Sequence, residues 1–326
     1  MNQGGLSSFL RKLLHLVPVV IAIASLNFVL LKLAPGDAAD ILGGMTGSAT
    51  VEYLEQLRRE LGLDQPVWLQ YVHYMKRMLT LDLGMSAIQG VPVIDLILQR
   101  LPATLILMLA ALVIAVFCGV LAGVTAARFK GSWIDNLTSV LALVIYATPQ
   151  FWLGLMLIVL FSITLGLLPS GGMMRIGVTQ TPLSAALDIA HHLILPAVTL
   201  GLFYMAVYAR LMRASMLEVL SLDYISTARA KGLSESKVTW RHAFRNALLP
   251  VVTLIGIQVG HLLGGSILVE TVFGWPGLGR LIFDALLQRD TDLLLGILFI
   301  SSVSVVLVSL IVDLIYGLLD PRSAVA

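Results

Sequence analysis

The chain has 326 residues, of which 58% are hydrophobic and only 12% are charged, and its mean hydropathy is +0.93. This balance is far from that of a soluble domain and predicts a protein that lives in lipid. The net charge of +2 gives no sign of the concentrated basic face that nucleic acid requires, so no nucleic-acid partner is expected. The single cysteine, Cys118, lies in an apolar run, so an intrachain disulfide and a thiolate metal site are excluded as well.

The first apolar run, residues 13–33, follows Arg11 and Lys12 and has the outline of a signal peptide, with Ala22 and Ala24 as the small residues of a cleavage site. The run continues well beyond those alanines. It is long enough to span a bilayer, whereas the apolar core of a signal peptide, about 7–15 residues, is not. We therefore predict a first transmembrane helix.

Five further apolar stretches, separated by polar or Gly/Pro-rich connections, are long enough to cross a hydrocarbon core of about 30 Å. They cover residues 104–127, 134–165, 193–212, 249–272 and 293–318. Residues 134–165 exceed what lipid requires and include Pro149 and Gly154, which predicts a tilted or kinked helix whose last turns rise above the membrane. The predicted fold class is an all-α polytopic membrane protein with six transmembrane helices and a small helical insertion between the first and second.

Basic residues fall on one side of the membrane if the six spans alternate, and this bias marks the cytoplasmic side. They are Arg11, Lys12, Arg128, Lys130, Arg213, Arg229, Lys231, Lys237, Arg241 and Arg245. The opposite connections, residues 35–101, 166–192 and 273–292, carry acidic residues that match or outnumber the basic ones, as an external face should. Both termini are therefore predicted to be cytoplasmic.

The first external connection is too long for a simple loop, and we predict two or three short amphipathic helices in it. Thr50 is placed to cap a helix that Gly62 ends in a left-handed turn, and Pro66 suits the first position of the next helix. That next helix carries an apolar stripe, which favours packing over ligand binding. The stripe consists of Val67, Tyr71, Tyr74, Met75 and Met78. The predicted domains are the first span (1–34), the external insertion (35–101) and a core of five spans (102–326).

The sequence contains no recognisable catalytic or phosphate-binding motif. It lacks His-Glu-x-x-His, Gly-x-Ser-x-Gly and Gly-x-x-x-x-Gly-Lys-Ser/Thr, so any nucleotide must bind to a different chain. His191 and His192 are adjacent, diverge on a helix and have no clustered carboxylate or thiol, and we interpret them as interfacial residues that open the fourth span rather than as metal ligands.

The cytoplasmic connection, residues 213–248, is the most informative segment. We predict two short helices in it: Asp223 is placed to cap the first, Gly232 to end it in a left-handed turn, and Ser234 to cap the second. Small residues would give the first helix a smooth face onto which another protein's groove could close. These small residues are Ser226, Thr227 and Ala228.

This segment resembles the EAA loop of the permease subunits of binding-protein-dependent ABC importers. Ser226, Thr227 and Ala228 stand at the Glu-Ala-Ala positions of that motif, and Gly232 stands at its glycine. The first letter departs from the general motif, and Pro250, which follows the loop, arrives several residues later than in most members. Both departures look like the dipeptide and oligopeptide branch of the family.

Four further blocks extend the resemblance over essentially the whole chain. They are Leu-Ala-Pro-Gly-Asp at 33–37, Leu-Gly-Leu-Asp-Gln-Pro at 61–66, Arg-Leu-Pro-Ala-Thr at 100–104 and Val-Phe-Gly-Trp-Pro-Gly-Leu-Gly-Arg at 272–280. In this order and with this topology they are typical of one of the two permease subunits of a peptide-type importer, the one with the long first periplasmic loop.

The resemblance implies a location in the bacterial inner membrane and a complex with a second, homologous permease, two ATP-binding subunits and a periplasmic solute-binding protein. ATP and Mg²⁺ would be bound by the partner ATPases, whereas this chain would hold no cofactor and would not itself be an enzyme. Closing of the ATPase pair would move the docking loop and rock the spans as rigid bodies. The coupling residues that the resemblance implies are Ser226, Thr227, Ala228, Arg229 and Gly232.

Ionisable residues inside spans are candidates for function by default. The notable ones are His261, Glu270 and Asp313; capping, a salt bridge or solute contact explains Glu270, and Asp313 also fits an ion pair with Arg128 or Lys130. The turn-forming residues at 273–279 permit this segment to re-enter the membrane or plug its external mouth. The candidates for the solute pathway or its gate are Glu270, Phe273, Trp275, Pro276 and Asp313.

Two other classes of membrane protein fit less well. A secondary transporter would show paired acidic residues near the midplane and broken helices in corresponding positions of two halves, and a membrane enzyme would show a facing nucleophile and base. We recognise neither pattern in the sequence. Dipeptide or oligopeptide uptake is the favoured function, and a nickel- or glutathione-type importer is the alternative.

Overall fold

The computed structural model describes residues 3–33, 39, 50–60, 62–175, 177 and 181–319; at residues 3–16, 257, 259–265, 309 and 311–319 it describes the backbone alone. Over this part of the chain the fold is helical without a β-strand, apart from one isolated bridge between Met85 and Pro92. The all-α fold class is confirmed.

Thirteen α-helices with the following bounds are described. They are α1 (Gln3–Leu33), α2 (Val51–Glu60), α3 (Val67–Leu79), α4 (Val93–Arg128), α5 (Trp133–Ala147), α6 (Gln150–Leu157), α7 (Pro182–Leu220), α8 (Asp223–Ala230), α9 (Glu235–Lys237), α10 (Phe244–Ala247), α11 (Leu249–Phe273), α12 (Leu278–Gln288) and α13 (Thr291–Leu319). Two π-helical stretches, Ile158–Thr164 and Val238–Ala243, continue α6 and α9 respectively.

Three helices in the described part of the chain are long and apolar enough to cross a membrane, namely α4, α7 and the Thr291–Val308 part of α13. The pair Trp133–Ala147 and Gln150–Thr164 makes a fourth if it counts as one bent span, and Val17–Leu33 is a shorter apolar helix. The chain is therefore a multi-pass membrane protein. The count of six spans stays a prediction, because side chains of α11 and α13 are described only in part.

The third predicted span, residues 134–165, is kinked as expected, but more sharply than a tilted helix. Its two halves are bent by 106° at Thr148 and Pro149. Thr148 is extended (φ −82°, ψ 128°), because the ring of a following proline disfavours the helical conformation. Pro149 then leads into α6, where its missing N–H costs no helical hydrogen bond.

The helices of the first compact unit, residues 1–101 and 281–326, are held together around α1. Helix α1 packs against α3 and α13. Ser25 Oγ and Tyr71 Oη are 2.7 Å apart, and the Tyr71 ring meets the Phe28 ring edge-on at 5.3 Å. On the α13 side, Asn27 Nδ2 donates to Leu295 O at 3.4 Å. These contacts fix the insertion helix α3 beside the first predicted span.

The local signals in the insertion are mostly confirmed. Tyr53 N donates to Thr50 Oγ1 at 3.3 Å, so Thr50 caps α2, and Gly62 is left-handed (φ +65°). Pro66 is the residue before α3 rather than its first position. The apolar stripe of α3 packs inward at Met78, which is 6% exposed, whereas its first member Val67 is 60% exposed because it lies at the open end of the helix.

An amphipathic helix, α12, occupies part of the connection 273–292 and was not predicted. A buried carboxylate follows it: Asp290 is 1% exposed and accepts hydrogen bonds from Leu293 N at 3.2 Å and from Ser86 Oγ. Asp290 therefore caps α13 and ties it to the segment after α3, all within the first compact unit.

The second compact unit, residues 102–280, is built around α7, against which α5, α6 and α11 pack. Helix α7 has 39 residues and begins at Pro182, so it is much longer than its predicted apolar part, residues 193–212. Thr181 caps it by accepting a hydrogen bond from Ser184 N at 3.3 Å.

Helix α4 approaches α7 through two glycines one turn apart, Gly119 and Gly123. A Cβ on Gly119 would lie 2.8 Å from Met205 O, and one on Gly123 would lie 2.6 Å from Ala209 O. Such distances leave no room for a side chain, so the two backbones touch. This Gly-x-x-x-Gly pattern is a common means of close helix packing in membranes.

Candidate functional site

The segment after α7, which was predicted to be cytoplasmic, folds as two short helical pieces around a glycine turn. The first piece, α8, begins at Asp223, but the residue in the capping position is Leu222, without a side-chain hydrogen bond, so the predicted cap by Asp223 is wrong. Asp223 lies in the first turn instead, where its negative charge interacts favourably with the positive end of the helix dipole. The second piece begins after Ser234, which occupies the capping position but makes no side-chain hydrogen bond.

Gly232 lies in the turn between the two pieces and is left-handed (φ +76°), as predicted. Gly232 N donates to Arg229 O at 2.9 Å, which closes the end of α8. A Cβ on Gly232 would meet nothing within 4 Å, so the positive φ alone selects glycine here. The turn is exposed to contact from outside this chain.

The predicted small-residue face of α8 is divided in the structure. Ser226 and Thr227 are exposed, whereas Ala228 is 6% exposed and Ile225 is fully buried, since this side of α8 packs on the π-helical stretch that follows α9. The expectation that Ala228 offers its side chain to another protein is corrected: its small size allows α8 to pack closely on its own chain.

Polar contacts of Arg229 and Tyr224 join α8 to the second piece. Arg229 Nε donates to Glu235 Oε1 at 2.9 Å across the Gly232 turn, and Asn246 Nδ2 donates to Tyr224 Oη at 2.8 Å. The Arg229–Glu235 pair is about half exposed on both sides, so it contributes little stability and mainly orients the turn.

A buried ion pair anchors α7 just before this segment. Arg213 donates from Nε and Nη2 to the two carboxylate oxygens of Asp135 at 2.6 and 2.8 Å, and Asp135 is 3% exposed. Gly131 N donates to the same carboxylate at 2.9 Å, which adds the turn between α4 and α5 to the contact. This pair was not predicted, although Ser132 followed by Asp135 three residues later is a helix-start signal.

An open cleft of about 280 Å³ lies where the ends of α4 and α7 meet the segment that contains α8 and α9. Its walls include Arg128, Lys130, Ser221, Arg229 and Glu235. Asp313, which was considered as a partner for Arg128 or Lys130, has a helical backbone, but its side chain lies outside the description.

Glu270, near the end of α11, is fully buried and surrounded by hydrogen-bond donors. Thr104 Oγ1 donates to its Oε1 at 2.8 Å, and Arg280 N donates to its Oε2 at 3.0 Å. Thr104 Oγ1 also accepts from Leu278 N at 2.7 Å. A Cβ on Gly277 would overlap the Glu270 carboxylate, so this glycine is required by space. Glu270 thus holds the turn that follows α11 against the part of α4 around Thr104.

The turn itself, residues 273–279, is folded into the second unit. Gly274 is left-handed (φ +61°) and ends α11, and Trp275 Nε1 donates to Ala103 O at 2.8 Å. Phe273 O accepts from Gly172 N at 2.8 Å, which fixes the turn to the connection before α7. Phe273 and Trp275 are buried, and Pro276 is half-buried. In this chain, Glu270, Phe273 and Trp275, which were predicted as pathway residues, are therefore packing and hydrogen-bonding residues.

The histidine pair lies inside α7 rather than at its start. His192 is 7% exposed, and its Nδ1 is 3.5 Å from Asp188 Oδ1, so the expectation that no carboxylate clusters with the pair is wrong. Asp188 also accepts from Arg175 N at 2.7 Å and fixes the preceding connection. His261, the other histidine considered, has a side chain outside the description.

Arg210 is an ionisable residue of the predicted span 193–212 that sequence reasoning passed over. Its Cζ lies 4.3 Å from the centroid of the Tyr146 ring, and that ring stacks on Phe203 with centroids 5.4 Å apart. Arg210 could have been found from the sequence, because it is the only charged residue in the otherwise apolar run of 20 residues from 193 to 212.

The apolar helices and the comparisons with known proteins define the class of this protein. Residues 119–325 match the family model described as binding-protein-dependent transport system inner membrane component, and residues 6–108 match that of the N-terminal part of such membrane components. The chain belongs to this family of transporter permeases. It is a permease subunit of an ABC importer.

Among its relatives, the chain is 42% identical to the dipeptide transport system permease protein DppB of Escherichia coli (strain K12), over 97% of this chain and 98% of that protein. It is 40% identical to the glutathione transport system permease protein GsiC of the same strain, with the same coverage. In fold it is similar to an inward-facing structure of the MetNI methionine ABC transporter, with a TM-score of 0.56 at 18% identity over 69% of this chain and 96% of that chain.

Proposed function

We propose that this permease imports dipeptides or other short peptides that a periplasmic binding protein delivers. The observation that carries the proposal is the similarity over 97% of the chain to a dipeptide permease, together with nearly equal similarity to a glutathione permease. Glutathione is itself a tripeptide, so both relatives indicate small peptides with free carboxylates. A nickel-type importer is the remaining alternative.

The complete transporter would contain this chain, a second homologous permease, two ATP-binding subunits and the binding protein. The chain would cross the bacterial inner membrane six times with both termini in the cytoplasm, as the distribution of basic residues favours. ATP and Mg²⁺ would be held by the ATPase subunits, since this sequence has no phosphate-binding loop. The isolated chain should therefore not hydrolyse ATP.

The ATPase would dock on the exposed side of α8 and on the Gly232 turn. Ser226 and Thr227 are exposed there, and the turn has no neighbour of its own chain against its outer side. Ala228 contributes by letting α8 lie close to the segment that follows. A displacement of α8 would pass into α7 through the short connection at Ser221.

Glu270, Phe273 and Trp275 would act on the external side as a fixed cap rather than as solute ligands. Their buried hydrogen bonds join α11, the start of the core and the connection before α7. A cap of this kind would move with the spans as one body when the pathway opens. Pro276, which is half-buried, stays the candidate within this turn for a gate contact.

The function is tested by uptake into proteoliposomes that contain the complete transporter. Radiolabelled dialanine, glutathione and a nickel–histidine chelate would be offered in turn, each with the binding protein and with ATP enclosed on the side of the ATPases. ATP-dependent accumulation of dialanine or glutathione supports the proposal. Accumulation of the nickel chelate alone, or of none of the three while ATP is hydrolysed, contradicts it.

Topology is tested with single cysteines at Gln65 and Ser236 in a Cys118→Ser background. The cysteine at position 65 should be labelled in intact cells by an impermeant thiol reagent, because this position follows α2 in the external insertion. The cysteine at position 236 should be labelled only after permeabilisation. The opposite pattern would overturn the orientation.

A further inference from the structure

Arg210 carries a charge far from either end of α7. Asp135 of α5 contacts Arg213 of α7, and Tyr146, later in α5, contacts Phe203, which is earlier in α7. The helices are therefore antiparallel. Tyr146 lies eleven residues beyond Asp135, which corresponds to about 16 Å of helix at 1.5 Å per residue. Since α5 begins at the predicted cytoplasmic boundary, the Tyr146 ring lies roughly halfway through a 30 Å hydrocarbon core.

The guanidinium of Arg210 points toward that depth. Its Cζ is 4.3 Å from the centroid of the Tyr146 ring, and its Nε donates to Ala206 O at 3.4 Å, one turn back toward the external end of α7. Long side chains near a membrane surface usually extend toward water. Arg210 extends away from the cytoplasmic water instead, so its charge needs a partner within the membrane.

No carboxylate among the described residues pairs with Arg210. Its recorded contacts are the Ala206 carbonyl and the Tyr146 ring, and the residue is exposed on the surface of this chain. Tyr146 is 45% exposed, and Phe203 stacks under it with an interplanar angle of 17°. The arrangement is a cation held on an aromatic shelf, with guanidinium N–H groups left to donate.

We propose that Arg210 binds the carboxylate of the solute during its passage, on a surface of α7 that faces the translocation pathway. The inference rests on the proposed function, because peptides and glutathione carry a free carboxylate. A guanidinium binds a carboxylate through two parallel N–H donors, and the cation–π contact with Tyr146 keeps its plane in place. A low-dielectric surrounding strengthens such a contact, and the shelf of Tyr146 and Phe203 would contact apolar parts of the peptide.

The test measures dialanine uptake by the complete transporter in proteoliposomes with Arg210→Gln, Arg210→Lys and Arg210→Glu. The expected result is a loss of maximal uptake of about tenfold or more for Gln, a larger loss for Glu and a partial recovery for Lys. ATP hydrolysis stimulated by the loaded binding protein should stay near the wild-type rate, so more ATP is consumed per peptide. Arg59→Gln, an external arginine whose Nε also donates to a backbone carbonyl one turn back, is the matched control and should leave uptake unchanged.

The outcomes separate this inference from the proposed function. If wild-type complex accumulates dialanine and Arg210→Gln does so equally well, Arg210 is not a solute ligand although the function stands. If the Gln variant loses the second permease on purification, Arg210 pairs with that subunit instead and the inference is overturned. If wild-type complex hydrolyses ATP with the binding protein present but accumulates no peptide, the proposed function itself fails.

Discussion

The close approach of α4 and α7 makes a substitution of Gly123 a sensitive test of the packing. A Cβ there would lie 2.6 Å from Ala209 O, 2.7 Å from Met212 Cβ and 2.9 Å from Arg213 N. Two of these three atoms belong to backbone and cannot rotate away, so α7 must shift outward by several tenths of an ångström. In an uncrowded helix, glycine to alanine would stabilise by about 1 kcal/mol. Overpacking costs about 1–3 kcal/mol, and the second effect should win.

We therefore expect Gly123→Ala to destabilise the protein by about 1–2 kcal/mol, with a larger effect for Gly123→Val. The shift would also disturb Arg213, which forms the ion pair with Asp135. The measurement is the temperature at which half of the purified complex remains monodisperse after heating in detergent. At roughly 2–4 °C per kcal/mol, the alanine variant should lose a few degrees.

The matched control is Cys118→Val, an enlargement on the exposed side of α4 immediately before the other close-packed glycine, Gly119. It should leave the midpoint near that of the wild type. Gly119→Ala should behave like Gly123→Ala, because a Cβ there would lie 2.8 Å from Met205 O. If either glycine variant is as stable as the wild type or more so, the backbones do not touch and the argument from close packing is refuted.

Three further substitutions test the other contacts. Asp135→Asn should reduce membrane abundance because Arg213 loses its carboxylate, and the double variant Asp135→Leu/Arg213→Met should recover abundance if the pair is structural. Gly232→Val should keep abundance but abolish uptake and weaken co-purification of the ATPase subunits, because a β-branched residue resists positive φ by about 1 kcal/mol or more; Ser236→Ala is the control, and unimpaired uptake would remove this turn from the coupling path. Gly277→Ala should lower the heating midpoint because its Cβ overlaps a buried carboxylate, and an unchanged midpoint would show that the turn adjusts freely.

Apolar composition predicted the positions of the long helices well and their lengths poorly. Helix α11 covers Leu249–Phe273 against a prediction of 249–272, because Pro250 and Gly274 mark its ends chemically. Helix α7 has no such signal at its apolar boundary and continues beyond the apolar stretch 193–212 in both directions. Hydropathy reports the lipid-facing part of a helix, whereas the helix itself ends only where backbone hydrogen bonding ends.

The segment from α8 to α10 shows where local chemistry suffices and where tertiary contacts decide. Gly232 could be assigned from its position after a helical run, because positive φ is a local property of the backbone. The direction in which Ala228 points could not be assigned, because it depends on which side of α8 packs on the rest of the chain. For the same reason a test by Ala228→Asp would report folding as much as docking, and Gly232 is the cleaner probe.

The charged residues of the second unit show the same difference between what local sequence indicates and what tertiary contacts decide. Asp135 and Arg213 are distant in sequence, and only the antiparallel packing of α5 and α7 brings them together. Glu270 was recognisable as unusual from its apolar surroundings, but its role as the centre of a hydrogen-bonded turn depends on Thr104, far away along the chain. A lone acidic residue in a span therefore identifies a site without distinguishing solute binding from structural anchoring.

The same contacts determine how a displacement of the Gly232 turn would reach the long helices. Helix α7 is continuous from Pro182 to Leu220, touches α4 at two glycines and is pinned to α5 by a buried ion pair. Close-packed interfaces of this kind do not deform gradually, so a force applied at α8 should move α4, α5 and α7 together. The sharp bend at Pro149, by contrast, joins α5 to α6 through an extended residue and lacks a helical hydrogen bond across it. We expect the angle between α5 and α6 to change there first, because no helical hydrogen bond crosses the bend, whereas the contacts of α6 with α7 and α11 should keep α6 in place.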